Sequence, residues 1–399
     1  MIVFHVPSWY PYPKSPYSGV FIKELIEAYA AINTDDICII SNFHQLQFDM
    51  SFREPIQFLK NTLHYQSLSS VLEIRHSSNL LEYQSKILVG NLRLFGLRIK
   101  RQLAISIQHF ELLLKRNMRP DIIHAHVCYP AGVIARQLSD QFKVPYVISE
   151  QSGTVLLQDA FEKYLLKDQM MDAYHHAKKI SALSTFHINE LGKLNLNNIS
   201  LIPNLVNETL FKVAEKTANP VFSFFTLAWI NESKGIRDLL LAINKLIKQN
   251  YNIRVKIGGT GNQAEEYKKL SKDLGINSFL EWAGPLNRTQ VAACYQQCDC
   301  FILPSKSESL GVVYIEAIAS GKPVIATNCG GPADIINENN GLLVEVGNIE
   351  AIANAMIRMI ERSKEYNSET IRNDFMQRFS RKAIVKRVKT FYEEAITAG

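Results

Sequence analysis

Short apolar segments alternate with helix-length segments along the whole sequence. Runs such as Ile2 to Val6 and Ile122 to Ala125 have the length and composition of buried strands, and amphipathic stretches separate them. Strands joined through helices run parallel with right-handed crossovers, so the pattern predicts an α/β fold with doubly wound parallel sheets. The other runs that support this prediction lie at 37–40, 146–148, 222–227, 255–257, 300–303 and 323–326.

The alternation occurs twice, and the two series are separated near residue 205. The stretch from Lys212 to Pro220 is polar and lacks periodicity, which is typical of a linker. We therefore predict one domain over 1–205 and another over 206–381, and a chain of 399 residues is long enough for both cores. Doubly wound domains bind ligands at the carboxyl ends of their strands, so we expect the two to face each other across a cleft.

The composition narrows the class of protein. The chain starts directly with an apolar strand, without the basic segment of a secretory signal, and no run reaches the roughly 18 apolar residues of a membrane span. We therefore expect a cytoplasmic protein. The six cysteines lack the spacing of a disulfide scaffold, and Cys294, Cys298 and Cys300 straddle a predicted helix end and strand start, so we expect no metal site there.

The net charge of +6 is concentrated in one stretch. Between Lys86 and Arg119 eight cations accompany a single acid, Glu111. Interleaved with apolar residues, they could form an amphipathic surface that rests on anionic lipid at the inner face of the membrane, although an ordinary solvated helix face is the simpler interpretation. No nucleic-acid-binding motif accompanies the charge, so we expect no nucleic-acid partner.

The stretch from Leu303 to Ala317 contains the clearest chemical signal. A strand ends at Leu303, a polar turn follows, and a helix is expected from Val312, with its start marked by Ser309 and Gly311. Such a helix start presents free N–H groups and a positive dipole end, which suit a diphosphate. Glu308 lies in the turn. Glu316 lies about one and a half turns along the helix, where a carboxylate can accept both ribose hydroxyls.

A second anion-binding signal precedes this one. Lys234 follows the strand that ends near Leu227 and falls at the start of the helix from Ile236. A cation at a helix N-terminus is unfavourable unless an anion binds nearby, so Lys234 is a candidate phosphate ligand.

These motifs resemble those of family-4 glycosyltransferases, which have the GT-B architecture of two Rossmann-like domains. Glu308 and Glu316 resemble the paired glutamates of that family. The resemblance implies that Glu308 approaches the transferred sugar and Glu316 binds the nucleotide ribose. It also implies that backbone N–H groups of the following turn hold the sugar and phosphates, here Ser309, Leu310, Gly311 and Val312.

The chain departs from the family beside Lys234. The family has Gly-Arg-Leu before its Lys-Gly pair, and its arginine and lysine both neutralise the leaving diphosphate. Here Ala228-Trp229-Ile230 stands at that place. The resemblance therefore assigns more of the charge stabilisation to Lys234, with Lys306 as a possible helper.

The first domain has three further candidate segments. The loop after the first strand contains Gly19, which in the family contacts the donor phosphate, and the aromatic side chains of Trp9 and Tyr17 could stack on acceptor sugars or pack onto the domain. His124 and His126 match the family's His-x-His, in which the second histidine reaches the transferred sugar and the first is structural. Glu150 follows the next strand and is either an acceptor contact or part of a polar loop.

Gly259-Thr260-Gly261 follows another predicted strand and fits two different sites. With Ala264 it matches the dinucleotide fingerprint, which would suit an oxidoreductase. It also resembles the family's Gly-x-Gly turn, where glycines let the nucleotide approach. Pro285 and Leu286 resemble part of the loop that holds the base in that family. The ordered series of motifs favours the second interpretation.

The resemblance thus implies a metal-independent, retaining glycosyltransferase without a cofactor. It would move a sugar from a nucleotide-sugar to a saccharide or lipid-linked acceptor, in surface polysaccharide or glycoconjugate assembly. The alternatives are a nucleotide-sugar epimerase of the same fold and a non-catalytic nucleotide-sugar-binding partner protein. The resemblance also implies that a terminal helix, at about 382–399, packs back on the first domain.

Overall fold

A computed structural model describes residues 1–12, 18–47, 71–89, 95–152, 167–214 and 221–397. Its backbone contacts divide the chain into two compact units. The first unit comprises 1–182, 191–202 and 385–399, and the second comprises 183–190 and 203–384. The sequence prediction placed the boundaries at 205 and 382. Most of the predicted linker, 215–220, lies outside the described residues.

The first unit is built on an eight-stranded sheet with the order β3-β4-β2-β1-β5-β6-β7-β8. Every described neighbouring pair in it is parallel except β3 with β4, which is antiparallel. The strands are β1 (Ile2–Pro7), β2 (Ile37–Gln47), β3 (Leu72–Ser77), β4 (Leu80–Val89), β5 (Ile122–His126), β6 (Tyr146–Ser149), β7 (Lys179–Ala182) and β8 (Ile199–Leu201).

Helices connect these strands. They are α1 (Val20–Ile32), α2 (Phe95–Leu114), α3 (Val133–Phe142), α4 (Lys167–His176) and α5 (Thr185–Gly192). Each residue of β5 is buried, as expected for a central parallel strand that is covered on both faces. This central position places the two histidines of β5 inside the unit.

The second unit contains a six-stranded sheet, all parallel, with the order β11-β10-β9-β12-β13-β14. Its strands are β9 (Phe222–Leu227), β10 (Ile253–Gly258), β11 (Leu280–Gly284), β12 (Cys300–Leu303), β13 (Val324–Thr327) and β14 (Gly341–Val344). Its helices are α6 (Ile236–Lys248), α7 (Ala264–Asp273), α8 (Arg288–Gln297), α9 (Val312–Ala319), α10 (Ile349–Glu361) and α11 (Ser368–Arg378), and α12 (Arg381–Thr397) leads from it into the first unit.

Aromatic rings fill the centre of the second unit. Phe225 and Phe301 lie on neighbouring strands, and both contact the ring of Tyr295 from α8, with centroid distances of 5.2 and 5.4 Å. Tyr314 of α9 packs on Phe301 and donates a hydrogen bond to the carbonyl of Leu303. The core therefore fixes α9 against the end of β12, where the candidate site begins.

The predicted α/β class with parallel sheets is confirmed, but the prediction missed the outer strands of the first sheet. β3 reads Leu-Glu-Ile-Arg-His-Ser and is almost entirely exposed. An exposed edge strand needs no apolar run, so the hydrophobic pattern that revealed the buried strands is absent there.

The last helix completes the core of the first unit. Within α12 the hydroxyl of Tyr392 lies 2.6 Å from Nδ1 of His124, and the Tyr392 ring packs edge-on against Tyr29. Lys389 lies 3.5 Å from the carboxylate of Asp36. No helix among the described residues is long and apolar enough to cross a membrane.

Removing the Tyr392 hydroxyl should destabilise the first unit. Tyr392→Phe leaves a nitrogen of the fully buried His124 without its partner, which is expected to lower the free energy of unfolding by about 1–3 kcal/mol. Urea unfolding followed by circular dichroism measures this loss. Tyr251→Phe, which removes an exposed hydrogen bond to Glu361, is the matched control and should leave the curve unchanged. Equal curves for both variants would contradict the assignment.

Candidate functional site

The turn after β12 is fixed by hydrogen bonds. Ser305 is fully buried, and its hydroxyl donates to Oε1 of Glu308 at 2.9 Å. The backbone N–H of Gly331 donates to the carbonyl of Glu308 at 2.8 Å, and Thr327 donates to the carbonyl of Ser305. These contacts hold the Glu308 carboxylate in one orientation, with 13% of its side chain exposed.

Lys234 lies directly beside this carboxylate. Its Nζ donates to Oε1 of Glu308 at 2.6 Å, and the lysine side chain is 23% exposed. A partly buried pair at this distance is a charge-assisted hydrogen bond, stronger than a neutral one. The structure therefore brings together Lys234 and Glu308, two of the three predicted catalytic residues, of which the third is His126.

The loops that carry these two residues pack backbone against backbone. Gly235 has φ 65°, and a Cβ atom there would lie 1.8 Å from the carbonyl oxygen of Pro304. The N–H of Lys306 donates to the carbonyl of Ser233 at 2.7 Å. Only glycine fits at 235, which explains the Lys-Gly sequence in terms of packing.

Lys306 forms a second ion pair between the same loops. Its Nζ lies 3.0 Å from Oε1 of Glu232, and this hydrogen bond raises the pKa of Lys306. Both partners are exposed, so the pair contributes little to stability. Each of the two lysines on these loops is thus paired with a carboxylate.

Helix α9 starts where the sequence predicts. Its N-cap is Gly311, with φ 87°, and no side chain caps the first turn. The sequence predicts that Ser309 marks the helix start. In the structure its backbone carbonyl accepts a hydrogen bond from the Ser184 hydroxyl at 2.6 Å. Leu310 is buried and Val312 begins the helix. The positive dipole end of α9 consequently follows directly after the Glu308 turn.

Glu316 lies in the second turn of α9 and is only 9% exposed. The hydroxyl of Tyr295 lies 2.8 Å from the carbonyl of Val313 and 3.3 Å from Oε2 of Glu316, so its single proton is shared between these two acceptors. Burial, together with the nearby Glu316 carboxylate, raises the pKa of Tyr295 well above its usual range. Tyr295 thus remains a hydrogen-bond donor that orients Glu316. Sequence reasoning missed it because it lies on another helix.

The Gly259-x-Gly261 turn contacts the loop that contains Trp229. Cβ atoms at Gly259 and Gly261 would lie 1.9 Å and 2.1 Å from the carbonyl oxygens of Ala228 and Ile230. The N–H of Ile230 donates to the carbonyl of Thr260 at 2.8 Å. Close packing of two loops therefore requires these glycines.

The predicted base-binding loop follows β11 in the same unit. Pro285 and Leu286 lie between β11 and α8, and the Leu286 side chain approaches Gly258 at the end of β10. This loop therefore adjoins the carboxyl end of β10, where the glycine turn starts.

In the first unit, His126 is fully buried. Its Nε2 lies 3.1 Å from Nδ1 of His5, while Nδ1 of His126 and Nε2 of His5 have no partner in the described part of the chain. Burial lowers the pKa of His126 well below its usual range and that of His5 to about 3, so both rings are neutral. Sequence reasoning missed His5, although its strand β1 pairs directly with β5.

His124 is held by structural hydrogen bonds. Nε2 lies 2.7 Å from the Ser149 hydroxyl of β6, and Nδ1 contacts Tyr392. The three histidines 5, 124 and 126 each offer a nitrogen within 4.8 Å of the others, the spacing of a possible metal site. Because both nitrogens of His124 are already hydrogen-bonded, a bound metal would have to displace a contact.

The remaining candidates in the first unit differ in accessibility. Gly19 is the N-cap of α1, and a Cβ atom there would lie 2.3 Å from the carbonyl oxygen of Trp9. Trp9 itself is 37% exposed. Trp9 is thus available to a ligand. Tyr17 lies outside the described residues.

Glu150 is completely buried. Its Oε1 accepts hydrogen bonds from the N–H groups of Gln151 and Ser152 and from the Ser152 hydroxyl, and its Oε2 accepts from the N–H of Cys128 and the hydroxyl of Tyr174. Five donors from its own unit surround this carboxylate. The geometry favours a structural role for Glu150 over the predicted acceptor contact.

Two family models match this chain. The model described as glycosyl transferases group 1 matches residues 208–374, and that of the glycosyl transferase 4-like domain matches residues 85–204. The chain is 24% identical to TuaC of Bacillus subtilis over 369 residues, which cover 90% of this chain and 89% of TuaC. The name of that protein assigns it provisionally, as a glycosyltransferase, to teichuronic acid biosynthesis.

Solved structures share the fold over the whole length. The sucrose-phosphate synthase of Thermosynechococcus elongatus has a TM-score of 0.74 at 18% identity and covers all of both chains. HepE of Anabaena, solved in complex with UDP, has a TM-score of 0.68 at 18% identity over 98% of this chain and 99% of HepE. The predicted GT-B fold and the resemblance to family-4 glycosyltransferases are confirmed. The chain belongs to the GT-B glycosyltransferases that combine a 4-like domain with a group 1 domain.

Proposed function

We propose that the chain is a retaining glycosyltransferase that uses a nucleoside diphosphate sugar and needs no metal ion. The observation that supports this most directly is the Lys234–Glu308 pair, 2.6 Å apart, immediately before the start of α9. A cation, a carboxylate and a set of helix N–H groups on adjoining loops suit the diphosphate and the sugar of such a donor.

The leaving diphosphate is stabilised by two kinds of group. The backbone N–H groups from Ser309 to Val312 donate hydrogen bonds to the diphosphate, the dipole of α9 stabilises its negative charge, and Lys234 adds a positive charge. In the absence of a ligand, the Lys234 ammonium group is hydrogen-bonded to Glu308. When the donor binds, its diphosphate shares this ammonium group with Glu308 or replaces Glu308 as its partner. Glu308 is then available to hydrogen-bond the transferred sugar.

Glu316 binds the ribose. A carboxylate can accept hydrogen bonds from two vicinal hydroxyls, and the Tyr295 hydroxyl beside Oε2 helps to orient the Glu316 side chain. Gly259, Gly261, Pro285 and Leu286 adjoin the nucleotide on the other loops of the unit.

The transfer retains the anomeric configuration. The departing phosphate accepts the proton of the acceptor hydroxyl on the same face of the sugar, while Glu308 and His126 position the ring. His126 is neutral and is suited to hydrogen bonding rather than to proton donation. Trp9 is the accessible candidate for contact with an acceptor saccharide.

The setting proposed is the assembly of surface polysaccharide or glycoconjugate in the cytoplasm, with a saccharide or lipid-linked acceptor. The name of TuaC supports a surface polymer, and the UDP complex of HepE supports a nucleotide-sugar donor. Lys100 and Arg101 of α2 are exposed and available to an anionic membrane, whereas Arg116 pairs with Glu73 at 2.7 Å. Among the cations of this stretch that the structure describes, only some are thus free for such a contact.

A thermal-shift panel tests the donor. UDP-glucose, UDP-N-acetylglucosamine, ADP-glucose and GDP-mannose are compared at saturating concentration, and the true donor should raise Tm because it binds only the native state. Tm unchanged by every activated sugar in a wider panel would contradict the proposal. Reduced nicotinamide nucleotide serves as the control for the oxidoreductase alternative and should not raise Tm.

Substitution of the charged residues separates binding from turnover. Lys234→Met and Glu316→Ala should raise the donor Kd about tenfold or more, since each removes a hydrogen bond to or from a charged group. Lys245→Met, which breaks an exposed pair with Glu350, is the matched control and should leave Kd unchanged. Calorimetric titration measures the Kd values.

Glu308→Ala and His126→Ala should lower turnover more than donor affinity, because they position the sugar. If a UDP-sugar is the donor, the rate of UDP release measures turnover. NMR of the product should show a retained anomeric configuration. Wild-type turnover in both variants would remove their assignment. Donor binding by the wild-type protein without turnover on any acceptor would favour a non-catalytic partner protein.

A further inference from the structure

Trp229 is unusually exposed for its residue type. The residue is 62% exposed, the largest value among the exposed large hydrophobic residues of the described chain. An indole in contact with water forgoes a large favourable burial, and tryptophan is normally well buried. A solvent-facing tryptophan therefore suggests contact with a ligand.

The backbone that carries Trp229 is firmly held. The N–H of Ala228 donates to the carbonyl of Gly258 at 3.2 Å, and the N–H and carbonyl of Ile230 both bond to residues of the neighbouring turn. The side chain of Ile230 is buried. The indole thus projects from a loop that is fixed on both sides, which limits the entropy lost when a ligand binds.

The loop lies where ligands of this fold bind. Trp229 follows the carboxyl end of β9, whose neighbours in the sheet are β10 and β12. The glycine turn after β10 packs against it, and the turn with Lys234 follows it along the chain. Trp229 is therefore within the group of loops to which the proposed function assigns the donor.

Because the charged side chains of these loops are paired with each other, a non-ionic contact can add to the binding of the donor. Lys234 is paired with Glu308 and Lys306 with Glu232, so these four groups together add no net charge. Trp229, unlike an arginine, cannot neutralise a phosphate. It offers a large flat surface instead.

We propose that the Trp229 indole stacks on a ring of the donor, either the nucleobase or the apolar face of the sugar. This inference rests on the proposed function and adds a residue that sets donor affinity and selectivity. Stacking of a base on an aromatic side chain changes affinity by roughly tenfold or more when the ring is removed.

Titration calorimetry of Trp229→Ala, Trp229→Leu and Trp229→Phe tests the inference. The ligands are the nucleotide-sugar that gives the largest Tm rise in the panel above and its free nucleoside diphosphate. We expect Kd to rise about tenfold in the alanine and leucine variants and to stay near the wild-type value in the phenylalanine variant. Met376→Ala, on the exposed side of α11, is the control and should bind as the wild type does.

The two ligands identify the ring. If the variants lose affinity for both the nucleotide-sugar and the free nucleoside diphosphate, the nucleobase stacks on Trp229. If they lose affinity for the nucleotide-sugar alone, the sugar stacks there. Equal Kd in all variants and the wild type overturns the inference but leaves the proposed function intact. A weakening of the same size in the phenylalanine variant also overturns it. Absence of any activated-sugar binding by the wild type overturns both.

Discussion

The close packing of the loops after β9 and β12 is the constraint on which the candidate site depends. Gly235 admits the carbonyl of Pro304, and the N–H of Lys306 joins the two loops. This contact sets Lys234 and Glu308 at hydrogen-bond distance before any substrate arrives. Preorganised charges of this kind stabilise a developing negative charge without having to reorient during the reaction.

The same backbone packing extends across the sheet. Gly259 and Gly261 bring the turn after β10 against the Trp229 loop, so three adjacent strand ends form one continuous set of loops. Two buried tyrosines of the core stabilise this arrangement. Tyr314 of α9 donates a hydrogen bond to the end of β12, and the Tyr295 hydroxyl of α8 lies beside the Glu316 carboxylate. Packing and the position of functional groups therefore have a common physical basis.

The features that could be predicted from the sequence are those with a periodic or local sequence pattern. Buried parallel strands are apolar runs, and the start of α9 at Val312 follows from the turn before it. Contacts that depend on tertiary structure were not predictable: Tyr295 beside Glu316, and His5 beside His126, come from elements distant in the chain. The local sequence also left open whether Glu150 is an acceptor contact or part of a polar loop, because part of the set of five internal donors around it comes from distant elements. The exposed strand β3 lacks the continuous apolar run that marks the buried strands.

The most direct measurement is a crystal structure of the protein with its nucleoside diphosphate sugar. The account predicts diphosphate density within hydrogen-bond distance of Lys234 Nζ and of the N–H groups at the start of α9, with the ribose hydroxyls on Glu316. Donor bound elsewhere on the protein, with these groups still making only their internal contacts, would contradict it.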